Sequence, residues 1–298
     1  MITLLLALAA APADTTSPPA YTPHRVYDSH HKRFSDFETL AAEASKADVV
    51  LMGEQHDDPG THRMEIALLE SIGRRRSDVV LALEMFERDV QPVLDSYLEG
   101  KITEDAFLKA SRPWPNYAAD YRPLVEYAKA RGWRVVAGNV PRKIASTVFS
   151  KGIDAVSQLP DSSRRWAAEE FQCPKGDYAD RVAATLKEHP AGPGPAPTEA
   201  EMTRMGALIY QAQCVKDETM AESIARARGK GSPLVIHYNG AFHTDYGAGT
   251  AERVRRRLPK AKVLVISAIP VADLDAAPGK PDRKLGEWLV YTLKPPAK

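Results

Sequence analysis

The 298-residue chain has few cysteines, few aromatic residues and almost no net charge. Its two cysteines, Cys173 and Cys214, lack the Cys-x-x-Cys spacing of a zinc or redox site, so they form either one disulfide or two separate buried thiols. The 40 basic and 39 acidic residues give a net charge of +1, which does not favour nucleic acid as a partner. The apolar run at residues 1–13 is too short to span a bilayer, and we predict no transmembrane segment.

The amino terminus has the pattern of an export signal. Residues 1–13 are mostly apolar and end in Ala11-Pro12-Ala13, the A-x-A form of a signal-peptidase site. No cysteine suitable for lipid attachment lies nearby. We therefore predict a signal peptide over 1–13, a loose polar arm over 14–35, and an exported protein, periplasmic or cell-envelope associated, for which a lipid anchor is not supported.

What the chain does contain is a repeated alternation of short apolar runs and amphipathic stretches. Most runs are apolar at consecutive positions, as in strands that helices cover on both faces. The predicted strands are 49–52, 79–83, 134–137, 234–237, 262–267 and 288–292. The predicted helices include 61–75, 120–131 and 199–228. This order predicts an α/β fold, with a three-layer, mostly parallel central sheet and long helical excursions that form a cap.

Polar residues gather where the predicted strands end. Glu54 and His56 follow the first strand, Glu84 the second, Arg142 the third and His243 the fourth. Because ligands bind beyond the carboxyl ends of parallel strands, we expect these side chains to lie near one another. Carboxylates and imidazoles suit a divalent metal or acid–base chemistry.

Each of these residues also has an ordinary structural interpretation. A glutamate after a strand is often a helix N-terminal charge, and Asp57 or Asp58 before Pro59 is a good helix N-cap. Glu84 is the stronger candidate, because a charge that ends an apolar strand must be paired or ligated. His237, inside an apolar strand, is expected to be a satisfied core histidine.

Two further charged stretches have open interpretations. In the predicted helix 199–228, Glu218 is expected on a solvated face, whereas Asp217 lies either on that face or toward the site, paired with Arg142. The arginines at 253–257 favour a solvated helix end over a phosphate site.

Six segments together resemble the ChaN family of haem-binding uptake proteins. They are GEQHD at 53–57, LEMFERDVQPVLD at 83–95, WPNYAADYRPLVEYA at 114–128, NVPR at 139–142, KDETMA at 216–221 and NGAFHTDYGAGT at 239–250. The resemblance implies a ChaN-like α/β domain over 36–270, followed by a C-terminal loop and edge strand over 271–298. The family belongs to a wider group with Tiki-type metalloproteases and erythromycin-esterase-like enzymes.

The resemblance also implies ligands. Haem would be held by a tyrosine, for which Tyr178, Tyr210 and Tyr238 are candidates, and a homodimer is possible by the same comparison. In the enzymatic relatives, the residues that match Glu54, His56, Glu84 and His243 build the active or metal site. Two hypotheses follow. The first is an exported haem- or iron-binding protein, with iron uptake as the role that the resemblance implies. The second is a metal-dependent hydrolase in which Glu54, His56, Glu84 and His243 bind a divalent ion or position a water, and Arg142 stabilises an oxyanion.

Overall fold

The computed structural model describes residues 21–188, 197–229, 231–276 and 280–294, which contain one eight-stranded sheet. The strands are β1 (His24–Asp28), β2 (Arg33–Ser35), β3 (Val49–Glu54), β4 (Val79–Glu87), β5 (Arg134–Asn139), β6 (Leu234–Gly240), β7 (Val263–Val271) and β8 (Trp288–Leu293). Their order across the sheet is β2-β1-β8-β7-β3-β6-β4-β5. All pairs among β3 to β8 are parallel, whereas β1 runs antiparallel to both β8 and β2.

Helices fill the connections between the strands. They are α1 (Phe37–Ala44), α2 (Pro59–Arg75), α3 (Gln91–Leu98), α4 (Glu104–Ser111), α5 (Arg122–Ala130), α6 (Arg142–Lys151), α7 (Asp161–Arg164), α8 (Asp177–Glu188), α9 (Glu199–Arg228) and α10 (Gly249–Arg257). A π-helical turn at Tyr117–Tyr121 leads into α5, and a 3₁₀ turn at Ala241–His243 follows β6 directly.

The helices form a layer on each face of the sheet, which confirms the predicted three-layer α/β fold. Apolar residues of α1 to α5 pack on one face in the main core. Ala221, Ile224, Ala251 and Val254, from α9 and α10, pack on the other face. Both α6 and α8 contact α9, so the second helical excursion builds outward from α9. In the described part of the chain, no helix is both long and apolar enough to cross a membrane.

Two predictions about the ends of the domain are wrong. Residues 24–35, expected in a loose arm, form the β1–β2 hairpin, because β1 extends the sheet from β8. The predicted edge strand is internal: β8 lies between β7 and β1, and the described edges are β2 and β5. The predicted signal peptide, 1–13, and residues 14–20 of the arm lie outside the described residues.

Candidate functional site

The predicted strand ends do meet at one edge of the sheet, with β6 between β3 and β4. The register places Glu54 of β3 beside Gly240 of β6. Side chains alternate between the two faces of a strand, so Glu54 shares a face with the core residue Met52. Glu84 lies two positions after Ala82, which faces α9 and α10. The two glutamates therefore point to opposite faces at the same edge.

Glu54 is buried beneath a solvent-facing histidine. Its Oε1 accepts a hydrogen bond from Nδ1–H of His56, at 2.6 Å, and another from the hydroxyl of Tyr121, at 2.6 Å. Tyr121 ends the π-helical turn, which brings its ring over the strand end. Glu54 is 1% exposed, whereas the His56 side chain is 46% exposed and packs edge-on against Trp114.

A second histidine and glutamate approach Glu54 from α2. This helix begins after Asp58, whose carboxylate accepts hydrogen bonds from the backbone amides of Gly60 and Thr61, so the N-cap interpretation is confirmed for Asp58. One turn into the helix, His62 Nδ1 lies 2.9 Å from Glu65 Oε2 and 3.7 Å from Glu54 Oε2. All three side chains are buried. We call Glu54, His62 and Glu65 the lower triad.

The two carboxylates of the lower triad differ in pKa. Burial raises the pKa of Glu54, but hydrogen bonds with His56 and Glu65 outweigh burial and lower it below the ordinary value. Burial and the adjacent Glu54 carboxylate raise the pKa of Glu65 well above the ordinary value. Burial and the neighbouring charge thus favour the protonated form of Glu65 when no cation lies between the two carboxylates.

On the opposite face, Glu84 belongs to a chain of buried polar groups. Its Oε2 accepts a hydrogen bond from the Gly240 amide at 2.8 Å, and its Oε1 lies 3.5 Å from His243 Nε2. On the other side of the imidazole, His243 Nδ1–H donates to Asp217 Oδ1 at 2.7 Å. Tyr178 donates to the remaining Asp217 oxygen at 2.7 Å. We call Glu84, His243 and Asp217 the upper triad.

The carboxylates of the upper triad favour the charged form of its histidine. Burial lowers the pKa of His243, but the Glu84 and Asp217 carboxylates outweigh burial and raise it. Burial raises the pKa of Asp217, and the imidazolium of His243 lowers it below the ordinary value. The Asp217–His243 pair resembles the carboxylate–histidine pairs of acid–base sites, in which a carboxylate fixes one ring nitrogen, while Nε2 of His243 faces Glu84.

Gly240 lies between the two triads. A Cβ at this position would lie 2.9 Å from the His56 ring atoms Cε1 and Nε2 and 3.8 Å from Glu84 Oε2. The His56 imidazole and the Glu84 carboxylate therefore approach each other across a backbone position without a side chain. Burial lowers the pKa of His56, but its hydrogen bond with Glu54 and the negative charge of Glu84 outweigh burial. The pKa of His56 is therefore raised above its ordinary value.

The predicted site residues thus divide into contacting pairs. Glu54 contacts His56, and Glu84 contacts His243. Arg142 is exposed at the start of α6 and does not pair with Asp217, whose oxygens are occupied by His243, Tyr178 and Thr250. The catalytic roles assigned to Glu54, His56, Glu84, Arg142 and His243 stay predictions. The same holds for a metal ion bound by Glu54, His56, Glu84 and His243.

Of three structural expectations, one is wrong and two are confirmed in part. His237 is a core residue, as expected, but its two ring nitrogens have no hydrogen-bond partner in the described part of the chain, and burial lowers its pKa to about 4. Glu218 is fully buried and pairs with Arg253, Arg256 and Arg257, so it does not lie on a solvated face. The basic end of α10 is partly solvated: Arg253 is 1% exposed, whereas Arg256 is exposed at the surface, and both pair with Glu218.

The sequence interpretation also missed several site residues. His62 and Glu65 have the i, i+3 spacing of neighbours on a helix face, and polar residues there, among apolar core positions, were the available signal. Tyr121 gave no comparable signal, because its position depends on the π-helical turn. Asp217 was a candidate for the site, but its predicted partner was Arg142 and not His243.

A cavity of about 790 Å³ opens beside the upper triad. Its lining includes Tyr178, Arg181, Tyr210 and Tyr246, with Lys175 and Lys284 as further cations. We call it the tyrosine cavity. The Arg181 guanidinium lies over the rings of Tyr178 and Tyr246, and its Nη2 is buried without a hydrogen-bond partner among the described residues. Because Tyr178 also donates to Asp217, this residue joins the cavity to the upper triad.

The cysteines lie near this cavity and form a disulfide. Cys173 immediately precedes Pro174 of the cavity lining, and Cys214 lies on α9. The Cα atoms of the pair are 5.8 Å apart. The bond therefore ties the segment before α8 to the central helix of its layer.

Comparison with known proteins places this geometry in a family. The family described as "Haem-binding uptake, Tiki superfamily, ChaN" matches residues 40–254. The solved structure of ChaN of Campylobacter jejuni with cofacial haem is similar, with a TM-score of 0.64 and 16% identity, over 90% of this chain and 96% of that one. A Bacillus cereus protein has a TM-score of 0.50 and 12% identity, over 86% of this chain and 90% of that one.

A curated plant protein is similar in sequence. Protein RETICULATA-RELATED 5, chloroplastic, of Arabidopsis thaliana is 26% identical over 237 residues, which is 75% of this chain. The match spans 31% of the length of that relative. The solved structures support the fold, and the family match covers most of the α/β domain.

Proposed function

The chain belongs to the ChaN family of haem-binding uptake proteins, within the Tiki superfamily, and we propose that it binds haem as cargo in the tyrosine cavity. The observation that carries this proposal is the buried, unpartnered Nη2 of Arg181 in a cavity lined by three tyrosines. A volume of about 790 Å³ lies in the range of small-molecule sites.

The donor set of the cavity fits haem. Tyrosine oxygen is an established axial ligand of haem iron. A guanidinium binds carboxylates such as the haem propionates, and Lys175 and Lys284 add positive charge. The rings of Tyr178 and Phe242 lie 5.5 Å apart and offer aromatic surface. Haem would supply the iron, while these residues bind and orient it.

The three tyrosines that the resemblance suggested differ in access. Tyr238 is fully buried and donates to the Glu65 carbonyl in the core, so it does not reach the cavity. Tyr178 and Tyr210 line the cavity, but their hydroxyls donate to Asp217 and to the Pro174 carbonyl. Tyr246 is 43% exposed, and its hydroxyl makes only a 3.2 Å hydrogen bond to Asp282.

Tyr246 is therefore the axial ligand that we propose. Its backbone has φ = 63°, in the left-handed region that aromatic residues seldom occupy. Such strained positions cluster at ligand sites.

Titration of the purified protein with haemin, followed by the Soret band, tests the proposal. We expect saturable binding by the wild-type protein. Tyr246→Phe should change the ferric spectrum and weaken binding by about tenfold or more, the effect of losing about 1.4 kcal/mol. The control variant Tyr127→Phe, on α5, should leave the ferric spectrum and the affinity for haemin unchanged. Absence of saturable binding to the wild-type protein would contradict haem binding, and an unchanged spectrum in Tyr246→Phe would exclude that ligand.

We further propose export to an oxidising compartment. The A-x-A site at Ala11-Pro12-Ala13 supports a signal peptide. The disulfide between Cys173 and Cys214 supports the compartment, since such bonds persist mainly outside reducing cytosol. Amino-terminal sequencing of protein from a periplasmic fraction should give a start at Asp14, and an uncleaved cytosolic product would contradict export.

A second candidate function is metal-dependent hydrolysis at the strand ends. The observation that favours it is the upper triad, in which the buried His243 ring lies between two carboxylates close to the exposed His56. Glu54, His56, Glu84 and His243 would bind an ion or position a water, and exposed Arg142 would stabilise an oxyanion. Ester hydrolysis that is lost in both Glu84→Gln and His243→Gln would support this function, and rates unchanged in both variants would contradict it.

A further inference from the structure

The lower triad places two carboxylates and an imidazole face to face in a buried site. His62 Nε2 lies 3.2 Å from the carbonyl oxygen of His56, which can only accept, so Nε2 carries a proton. The other ring nitrogen, Nδ1, lies 2.9 Å from Glu65 Oε2 and 3.7 Å from Glu54 Oε2. Facing acceptors in a buried site need a positive species between them.

Two buried oxygens of the lower triad have no partner. Glu54 Oε2 and Glu65 Oε1 are buried and make no hydrogen bond with the described residues. Other oxygens of the same side chains are occupied, as Glu54 Oε1 accepts from Tyr121 and His56. One ligand atom from each of Glu54, His62 and Glu65 lies within 4.8 Å of the others.

We infer that the lower triad is a binding site for a first-row divalent metal ion, independent of haem binding and sharing only Glu54 with the proposed strand-end hydrolase site. One imidazole and two carboxylates are a ligand set that zinc, manganese and iron accept. Metal-bound histidines usually donate their other ring N–H to a backbone carbonyl, as His62 does to His56. The hydrogen bonds of Tyr121 and His56 orient the Glu54 carboxylate in the same way.

The site differs from the predicted metal set. Among the described residues, only Glu54, His62 and Glu65 form a group of three or more such ligands within this distance. They lie on the α2 face of the sheet, whereas Glu84 and His243 lie on the α9 face. A single shared proton between Glu54 and Glu65 would satisfy the same oxygens, so the test must separate a proton from a metal ion.

Titration of haem-free, metal-stripped protein with Co²⁺, followed by visible absorption and calorimetry, makes that separation. We expect one saturable Co²⁺ site in the wild-type protein. Glu65→Gln and His62→Gln should weaken it by more than about 100-fold, beyond the 10–100-fold effect of outer-shell partners. Glu126→Gln, a glutamate of α5 outside both triads, is the matched control and should bind as the wild type does.

Glu84→Gln distinguishes the two faces of the sheet. Retained Co²⁺ binding in Glu84→Gln with loss in Glu65→Gln supports the lower triad. Loss in Glu84→Gln with retention in Glu65→Gln assigns the ion to the strand-end set and overturns the inference. If the wild-type protein binds no Co²⁺ saturably, the triad shares a proton and the inference is also overturned.

Anomalous scattering from Co²⁺-soaked wild-type crystals gives a second readout that does not depend on variants that fold. A peak between Glu54, His62 and Glu65 is expected. A sole ordered peak elsewhere would overturn the inference.

Discussion

At the scale of single residues, the polar groups at the strand ends are defined by their partners. A buried carboxylate is costly unless it is hydrogen-bonded, and Glu84 meets this requirement through the Gly240 amide and His243. Asp217 does so through three donors, which are Tyr178, His243 and Thr250. Removal of one member therefore leaves charged neighbours without compensation.

The pH dependence of stability follows from the raised pKa of His243. The stabilisation from this group is fully present below the unfolded-state pKa of about 6.5 and is lost as pH rises through the higher folded-state pKa. We expect the difference in free energy of unfolding between wild type and His243→Gln to be largest near pH 6 and to narrow above it. Urea titrations between about pH 5 and pH 9 measure this difference. A difference that grows with pH would contradict an imidazolium between Asp217 and Glu84.

At the scale of elements, α9 packs on one face of the sheet and contributes Asp217 to the upper triad. It presents Asp217 to the strand ends and Ala221 and Ile224 to the sheet, while Cys214 ties it to the segment before α8. The sequence predicted α9 correctly over 199–228. It did not predict which face was buried, because the buried Glu218 pairs with arginines of α10.

The disulfide should contribute measurably to stability. The bond joins residues 41 positions apart, and its loss typically costs about 2–4 kcal/mol. We expect reduction of the wild-type protein to lower its free energy of unfolding in urea by that amount. The double variant Cys173→Ser, Cys214→Ser should be destabilised to a similar extent and should not respond to reductant. Equal stability of oxidised and reduced wild-type protein would contradict a bond in the native state.

At the scale of the whole molecule, the predictable part is the parallel core. Consecutive apolar residues identified β3 to β8, but each strand extends further toward its carboxyl end than predicted, to polar residues such as Glu54 and Asn139. Local hydrophobicity cannot show that polar residues continue a sheet ladder. For the same reason, the short β1–β2 hairpin was missed, since its stability comes from pairing with distant β8.

The edge of the sheet at which these side chains lie was predictable, but their separation onto two faces of the sheet was not. The rule that ligands bind at strand ends placed Glu54, His56, Glu84 and His243 at one edge. Which face each side chain takes depends on the strand register and on neighbouring helices, and these contacts are non-local. The lower triad arises in this way, from β3 and α2.

The hairpin allows a test of the whole fold. Because β1 lies between β8 and β2, its backbone amides are held in the sheet from both sides. We expect amide hydrogen exchange over 24–28 to be slow, on the time scale of the core strands. Exchange within seconds, as in a loose arm, would show that these residues do not complete the sheet.

The central claim is that the tyrosine cavity holds haem. The most direct measurement is the position of iron in crystals of the haemin-loaded protein, located by anomalous scattering. The account predicts an iron peak within bonding distance of the Tyr246 oxygen, with a propionate against Arg181. Iron at the lower or the upper triad, or a haem bound away from Arg181, would contradict it.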